Sequence, residues 1–126
     1  MDGDDFQTVV TEGAGFVRIT VSGPFTRARF GRLVQRIVAE AGSRGETRVL
    51  VDLQAVPMNL STMDRYEMGV AAGRLLVGVK VVVIATRAVV DHFAETVARN
   101  RGAVVGVFTE EAAALKWLLG PETPPP

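Results

Sequence analysis

The sequence predicts an α/β fold: a five-stranded mixed sheet, mostly parallel, with four helices. Two observations lead to this prediction. Several short runs are apolar on both sides, which is typical of strands buried between two layers. Segments with the repeat of an amphipathic helix separate these runs, and this alternation favours parallel strands joined by right-handed crossovers. The predicted element order is β-β-α-β-α-β-α-β-α.

The chain opens with a predicted hairpin. Residues 6–12 and 16–21 are rich in β-branched side chains, and the second segment alternates two sets of side chains along its length. Residues 13–15, with the sequence Gly-Ala-Gly, form a short connection between them. This hairpin adds an antiparallel strand to one edge of the sheet.

The first helix has the clearest periodicity. Its apolar positions form one stripe at helical spacing: Phe30, Leu33, Val34, Ile37, Val38 and Ala41. We expect Thr26 to cap the start of this helix and Gly42 to end it.

Two buried strands follow, over residues 49–53 and 79–85, with a helix over residues 61–76 between them. Gly69 and Gly73 lie four residues apart in this helix. We expect them to let the helix backbone lie close on the sheet.

A third helix, a fifth strand and a fourth helix complete the chain. Three apolar pairs mark the third helix: Val89 with Val90, Phe93 with Ala94, and Val97 with Ala98. We expect Gly102 to end it, Phe93 to face the core and His92 to lie on its polar face. Residues 104–108 form the last strand, and a helix with an acidic first turn runs to Leu119.

Composition excludes several classes of function. Fourteen Lys and Arg side chains balance fourteen Asp and Glu side chains, so the chain lacks the basic field that non-specific nucleic-acid binding requires. It has no Cys and one His, so we expect no thiolate nucleophile and no metal site. Nucleophile-elbow, phosphate-loop and dinucleotide motifs are absent from the sequence, and we expect no enzymatic activity, no catalytic residue and no cofactor.

The apolar stretch over residues 70–85 contains Arg74 and Lys80 and is too short to span a membrane. The chain begins with acidic residues, where a secretory signal is basic. We therefore expect a cytoplasmic protein with one domain over residues 1–119 and a disordered, proline-rich tail over residues 120–126.

The segment between the third strand and the second helix carries the candidate site, because ligands of open α/β sheets bind beyond the carboxyl ends of the strands. Ser61 or Thr62 is expected to be the N-cap of the helix. Either hydroxyl could instead be a phosphorylation or anion site at the positive helix end, and the local sequence leaves both interpretations open. The candidate partner- or ligand-binding side chains are Asp52, Met58, Asn59, Leu60, Met63, Asp64, Arg65 and Tyr66.

An apolar cluster lies beside these hydroxyls and contains Met58, Met63, Tyr66 and Met68. We expect these side chains to belong to the core. A small apolar pocket or a partner groove is the alternative.

The element order, the buried strand that ends in Val-Asp-Leu at residues 51–53, and the Ser-Thr pair at residues 61–62 together resemble a known family. The chain resembles the STAS domain (sulfate transporter and anti-sigma factor antagonist), in particular its SpoIIAA-like branch. The resemblance covers residues 8–119, and residues 100–118 look like the last strand and helix of that branch.

The resemblance implies a phosphorylation switch. In anti-sigma factor antagonists a kinase phosphorylates a serine of an Asp-Ser-Ser-Gly motif at the start of this helix, and this changes partner binding. Counting from Asp52, Ser61 and Thr62 match the two serines. Leu60 and Met63 stand where the motif has Asp and Gly, so a relative that keeps the fold without the switch is the alternative.

Two functions follow. The first is a protein-interaction module whose partner is an anti-sigma factor or a related kinase. The second is a small-molecule or lipid-binding domain, since SpoIIAA-like domains resemble the CRAL-TRIO lipid-transfer domains in fold. Against the second, 126 residues leave little volume for a lipid cavity once both faces of the sheet are covered. The sequence also allows a homodimer.

Overall fold

The computed structural model describes residues 7–56, 60–86 and 92–120. These residues form a five-stranded sheet with four helices, and the strands lie in the order β1-β2-β3-β4-β5. The strands are β1 (Gln7–Gly13), β2 (Phe16–Ser22), β3 (Arg48–Ala55), β4 (Lys80–Ile84) and β5 (Val104–Phe108). The helices are α1 (Arg27–Arg44), α2 (Thr62–Leu75), α3 (Phe93–Asn100) and α4 (Glu111–Leu118). The predicted fold class and element order are confirmed.

β1 and β2 form the predicted hairpin, joined by a two-residue turn of Ala14 and Gly15. Gly13 pairs with Phe16, and Gly15 has a φ of 87°, in the left-handed region that glycine enters without strain. The pairs β2 with β3, β3 with β4 and β4 with β5 are parallel. β1 is therefore an antiparallel edge strand, as predicted.

The two faces of the sheet are covered unequally. Because crossovers between parallel strands are right-handed, strands that follow chain order place their connecting helices on one face. Accordingly, α1, α2 and α3 share one core with Val49, Val51 and Val81. α4 packs on the other face, against Leu50 and Val82. Successive residues of the strands thus point into two different cores.

α1 is longer than predicted. Thr26 caps its start as expected, because the side-chain hydroxyl accepts a hydrogen bond from the backbone N–H of Arg29 (3.2 Å). The prediction that Gly42 ends the helix is wrong. The helix continues to Arg44 and closes at Gly45, whose φ of 64° is the left-handed conformation that ends many helices.

α3 begins at Phe93, and the predicted helical residues Val89 and Val90 lie outside the described residues. The predicted place of Phe93 in the core is wrong, because its side chain is 37% exposed. Helical side chains lean toward the start of the helix, so a residue at the first position projects beyond the helix end.

Gly69 and Gly73 bring α2 against α3, not against the sheet as the sequence led us to expect. A β-carbon on Gly69 would lie 2.6 Å from the Cβ of Val97, and one on Gly73 would lie 2.6 Å from the Cβ of Arg101. Real Cβ atoms do not approach so closely. The two glycines are therefore needed for the short distance between these helices.

Lys80 is buried in the core that faces α4, with 1% of its surface exposed. Its side-chain nitrogen donates hydrogen bonds to the carbonyl oxygens of Trp117 (2.8 Å) and Gly120 (3.2 Å). The same nitrogen lies 4.6 Å from the centroid of the Trp117 ring. Because the last carbonyls of a helix have no partner within it, Lys80 caps the C-terminal end of α4.

Replacing Gly69 by Ala is expected to lower the free energy of unfolding by about 1–3 kcal/mol, since α2 and α3 would have to separate. The matched control is Gly31→Ala in α1, where an added Cβ meets open space. The control is expected to be neutral or to stabilise by about 0.4–1 kcal/mol. Urea unfolding of both variants measures the difference, and equal stabilities would contradict the proposed packing role.

Replacing Lys80 by Met is expected to lower the free energy of unfolding by about 1–2 kcal/mol, because the carbonyl oxygens of Trp117 and Gly120 each lose a charged donor. Lys116→Met in α4, at an exposed position, is the control and is expected to change stability by less than about 0.5 kcal/mol. Thermal unfolding compares the two, and a stable K80M variant would show that the cap contributes little.

Candidate functional site

The start of α2, here residues 60–66, lies at the carboxyl edge of the parallel strands. Ser61 is the N-cap: its Oγ accepts a hydrogen bond from the backbone N–H of Asp64 (3.0 Å). Thr62 is the first helical residue, and its Oγ1 accepts from Nη2 of Arg65 (3.3 Å). Both hydroxyl residues are exposed. The expected capping role therefore falls to Ser61.

The apolar residues at the start of α2 divide between surface and core. Met63 is 61% exposed and Tyr66 is 39% exposed, so their expected place in the core is wrong. Met68 is buried, as expected, and Leu60 packs partly against the same core. The division follows from helical geometry, since residues 63 and 66 share a face that points away from the sheet. Met58 lies outside the described residues, as does Asn59.

Tyr66 connects the start of α2 with the end of α3. Its hydroxyl accepts a hydrogen bond from Nη2 of Arg101 (3.2 Å), and the guanidinium carbon of Arg101 lies 5.6 Å from the centroid of the tyrosine ring. Stacking of this kind contributes a modest attraction at an exposed position. The outer surface of α2 thus combines an aromatic ring, a methionine and a guanidinium group.

Asp52 lies apart from the other candidate residues. It shares the α4 face of the sheet with Leu50, two residues before it in β3. Its Oδ2 accepts a hydrogen bond from Nη2 of Arg18 (2.8 Å), and its Oδ1 accepts from the backbone N–H of Gln54 (3.0 Å).

Arg18 also binds Oε1 of Glu111 at the start of α4 (3.1 Å). Its contacts with Glu111, and then with Asp52, raise the pKa of Arg18. These contacts tie β2, β3 and α4 together, so Asp52 has a structural role.

A cavity of about 300 Å³ lies between the sheet and helices α1, α2 and α3. Most of its lining is apolar, with contributions from α1 (Phe30, Leu33, Val34, Ile37), α2 (Met68, Gly69, Ala72) and the strands (Val51, Leu53, Val81, Val83, Val105, Val107). The volume stands at the lower limit of ligand pockets. This volume is sufficient for a small molecule and too small for a large lipid.

Three polar residues line one end of the cavity, at the starts of α2 and α3: Arg65, His92 and Glu95. Glu95 is 7% exposed, and its Oε2 accepts a hydrogen bond from the backbone N–H of Val107 (2.9 Å). Its Oε1 lies 2.5 Å from Nδ1 of His92, which is exposed and has a φ of 62°. Glu95 is not among the site residues predicted from the sequence. Its spacing of three residues from the buried Ala98 was the available signal.

Within residues 7–56, 60–86 and 92–120, no group of three or more His, Cys, Asp or Glu side chains is arranged to hold a metal ion. In the same part of the chain, none of the helices combines the length and the apolar character that crossing a membrane requires.

Replacing Ser61 by Ala is expected to lower the free energy of unfolding by about 1 kcal/mol, because the N–H of Asp64 loses its acceptor. Thr62→Ala is the matched control and is expected to change stability by less than about 0.5 kcal/mol, since Thr62 does not cap the helix. Chemical unfolding distinguishes them, and equal losses would contradict the assignment of the cap.

The fold of this chain is similar to that of solved structures, although its sequence shares little identity with theirs. No protein-family model and no curated protein matches the sequence. An anti-sigma factor antagonist from Mycobacterium paratuberculosis is similar in structure over 94% of this chain and 98% of its own, with a TM-score of 0.64 and 18% sequence identity. An uncharacterized protein of the DUF3478 family from Shewanella loihica PV-4, with a SpoIIAA-like fold, is similar over the same shares, with a TM-score of 0.56 and 16% identity. The chain therefore has the SpoIIAA-like fold that its resemblance to STAS domains implies.

Proposed function

We propose that the protein is a non-enzymatic, cytoplasmic interaction module of the anti-sigma factor antagonist type, and that it binds a partner protein through the start of α2. The observation that carries this proposal is the exposure of Met63 and Tyr66 beside the exposed Ser61 and Thr62. The structural similarity to an anti-sigma factor antagonist supports a protein partner. The partner proposed is an anti-sigma factor or a related kinase.

Met63 and Tyr66 provide the contact area of the proposed interface. Tyrosine is enriched among the residues that dominate binding energy, and methionine adapts its shape to different partners. Met63 stands where the family motif has a glycine. A glycine lets the backbone of a partner come close, whereas Met63 offers an exposed apolar side chain. Recognition here therefore depends more on apolar side-chain contact.

Phosphorylation of Ser61 or Thr62 would regulate this interface. A phosphate adds roughly 1.5 to 2 negative charges. The positive end of α2 accommodates that charge, and Arg65 lies within reach of Thr62, so the fold of the chain is retained. A partner that covers Met63 with an apolar surface would also remove water from the phosphate. Because this desolvation costs free energy, the partner binds the phosphorylated chain more weakly.

Replacing Ser61 by Glu is expected to weaken partner binding by at least tenfold, because it places a charge within the proposed interface. Ser61→Ala, which loses the same capping hydrogen bond without adding a charge, is expected to bind the partner within about threefold of the unmodified chain. Ser43→Glu is the control, since Ser43 is exposed in the last turn of α1, at the opposite edge of the sheet. The partner is captured from an extract of the source organism with the unmodified chain, purified, and titrated against each variant by calorimetry.

Met63→Glu is titrated in the same way and is expected to abolish binding. If S61E and M63E both bind the partner as the unmodified chain does, the start of α2 is not the interface.

The intact mass of the chain purified from its own organism reports a phosphate on Ser61 or Thr62. The molar mass of the free chain by light scattering tests the homodimer.

A further inference from the structure

The cavity between the sheet and helices α1, α2 and α3 is half open to solvent, so a small molecule can reach it from outside. Most of its walls are apolar, and they include Val83 and Val107 of the sheet and Met68 and Ala72 of α2. At roughly 30 Å³ for each water-sized group, about 300 Å³ holds about ten such groups. These walls favour a molecule with an apolar body, because binding removes apolar surface of both from water.

His92 places a polar group beside these apolar walls. Its side chain lines the cavity and is 55% exposed, and its Nδ1 lies 2.5 Å from Oε1 of Glu95. Glu95 is buried, and its other oxygen, Oε2, accepts a hydrogen bond from the backbone N–H of Val107. The edge of the sheet thus holds the carboxylate, and the carboxylate holds the imidazole ring at the polar end of the cavity.

The contact with Glu95 determines which hydrogen bond His92 can offer to a ligand. An ionised carboxylate only accepts hydrogen bonds, so Nδ1 of His92 carries the proton that lies between the two groups. The other nitrogen of a neutral imidazole, Nε2, is then an acceptor. Among the described residues, none forms a hydrogen bond with this nitrogen. The ring therefore offers an oriented acceptor to a molecule in the cavity.

An acceptor beside apolar walls favours an uncharged ligand with one hydroxyl group. A carboxylate on the ligand would be repelled by Glu95, and an ammonium group would lose water from three donors for one acceptor. A phenol suits the site best, because its O–H is a stronger donor than that of an alcohol, and aromatic rings make favourable contacts with a methionine sulfur such as that of Met68. Arg65 lines the same end and donates to Thr62, and the choice of ligand does not depend on it.

We propose that this cavity binds a small apolar phenol of about ten non-hydrogen atoms, whose hydroxyl donates a hydrogen bond to Nε2 of His92 and whose ring lies against the apolar walls. This site is distinct from the protein interface proposed on the outer surface of α2, and neither requires the other.

The test compares 4-propylphenol with 4-ethylanisole, which has the same number of non-hydrogen atoms but no hydroxyl donor, and with 4-ethylbenzoate, which is an anion. Binding is followed at about pH 8 by chemical-shift changes of the methyl groups of methionine and valine and of the ¹⁵N signals of the imidazole ring. Because the chain has one His, these ring signals belong to His92 if no affinity tag is present.

We expect 4-propylphenol to bind at least tenfold more tightly than either of the other probes and to shift the methyl signals of Met68 and Val83. In the free chain, the ¹⁵N signals of His92 are expected to show a protonated Nδ1 and an unprotonated Nε2, and the phenol is expected to shift the Nε2 signal. Equal affinity for 4-ethylanisole would overturn the role of the hydroxyl, and tighter binding of 4-ethylbenzoate would overturn the choice of an uncharged ligand.

His92→Asn removes Nε2 with little change elsewhere. Asn tolerates the left-handed φ of 62° at this position, and its amide group keeps a donor for Glu95. This variant is expected to bind 4-propylphenol at least tenfold more weakly and to bind 4-ethylanisole as the unmodified chain does. Glu110→Gln, at an exposed position before α4, is the control and is expected to change neither affinity.

Glu95→Gln tests the positioning role of the carboxylate. An amide both donates and accepts, so it no longer fixes the proton on Nδ1. The ¹⁵N signals of His92 are expected to move toward the tautomer protonated on Nε2, and 4-propylphenol is expected to bind at least threefold more weakly. Unchanged ring signals would overturn this role of Glu95.

Equal affinity of H92N and the unmodified chain for 4-propylphenol would overturn the assignment of His92. Absence of methyl shifts with millimolar 4-propylphenol would overturn the site itself. Because S61E is titrated against a protein and H92N against a phenol, failure of one proposal does not affect the other.

Discussion

The right-handed crossover is the constraint on which the rest of this structure depends. The four parallel strands follow one another in chain order, so each crossover places its helix on the same side of the sheet. Three helices therefore share one face, and only the eight residues of α4 cover the other. The cavity lies on the face that is covered by three helices. On the other face, Lys80 and Arg18 hold α4 to the sheet through hydrogen bonds.

α2 separates two surfaces of different character. Its outer side presents Met63 and Tyr66, and its inner side contributes Met68 and Ala72 to the cavity wall. The glycine contact with α3 holds the helix at a short distance from its neighbour. Arg65 is the residue common to both sides, because it donates to Thr62 at the surface and lines the polar end of the cavity.

The architecture and the capped start of α2 could be predicted from the sequence because both depend on local patterns. Apolar runs, helical periodicity and a Ser-Thr pair before a helix are signals within about ten residues of one another. The fold class was therefore correct, while helix ends such as Gly45 depended on a single backbone conformation that the sequence does not specify.

Contacts between distant segments could not be predicted in this way. Lys80 appears in the sequence only as an interruption of an apolar run, and its acceptors lie 37 and 40 residues further along the chain. Asp52 was grouped with Ser61 by proximity in sequence, but the alternation of β3 directs it to the opposite face. The cavity depends on how three helices meet, which no local pattern encodes.

The hydrogen bond between Glu95 and Val107 has a consequence for how copies of this molecule meet. β5 is an edge strand, and an edge strand offers unpaired N–H and C=O groups to any strand of a second molecule. The Glu95 carboxylate already occupies the N–H of Val107, and it places a buried acidic side chain against that edge. A strand that approached β5 would have to displace this carboxylate from its own chain. The side chain of Glu95 thus protects the edge of β5 at Val107, where a charged side chain turned toward an edge disfavours pairing with another chain.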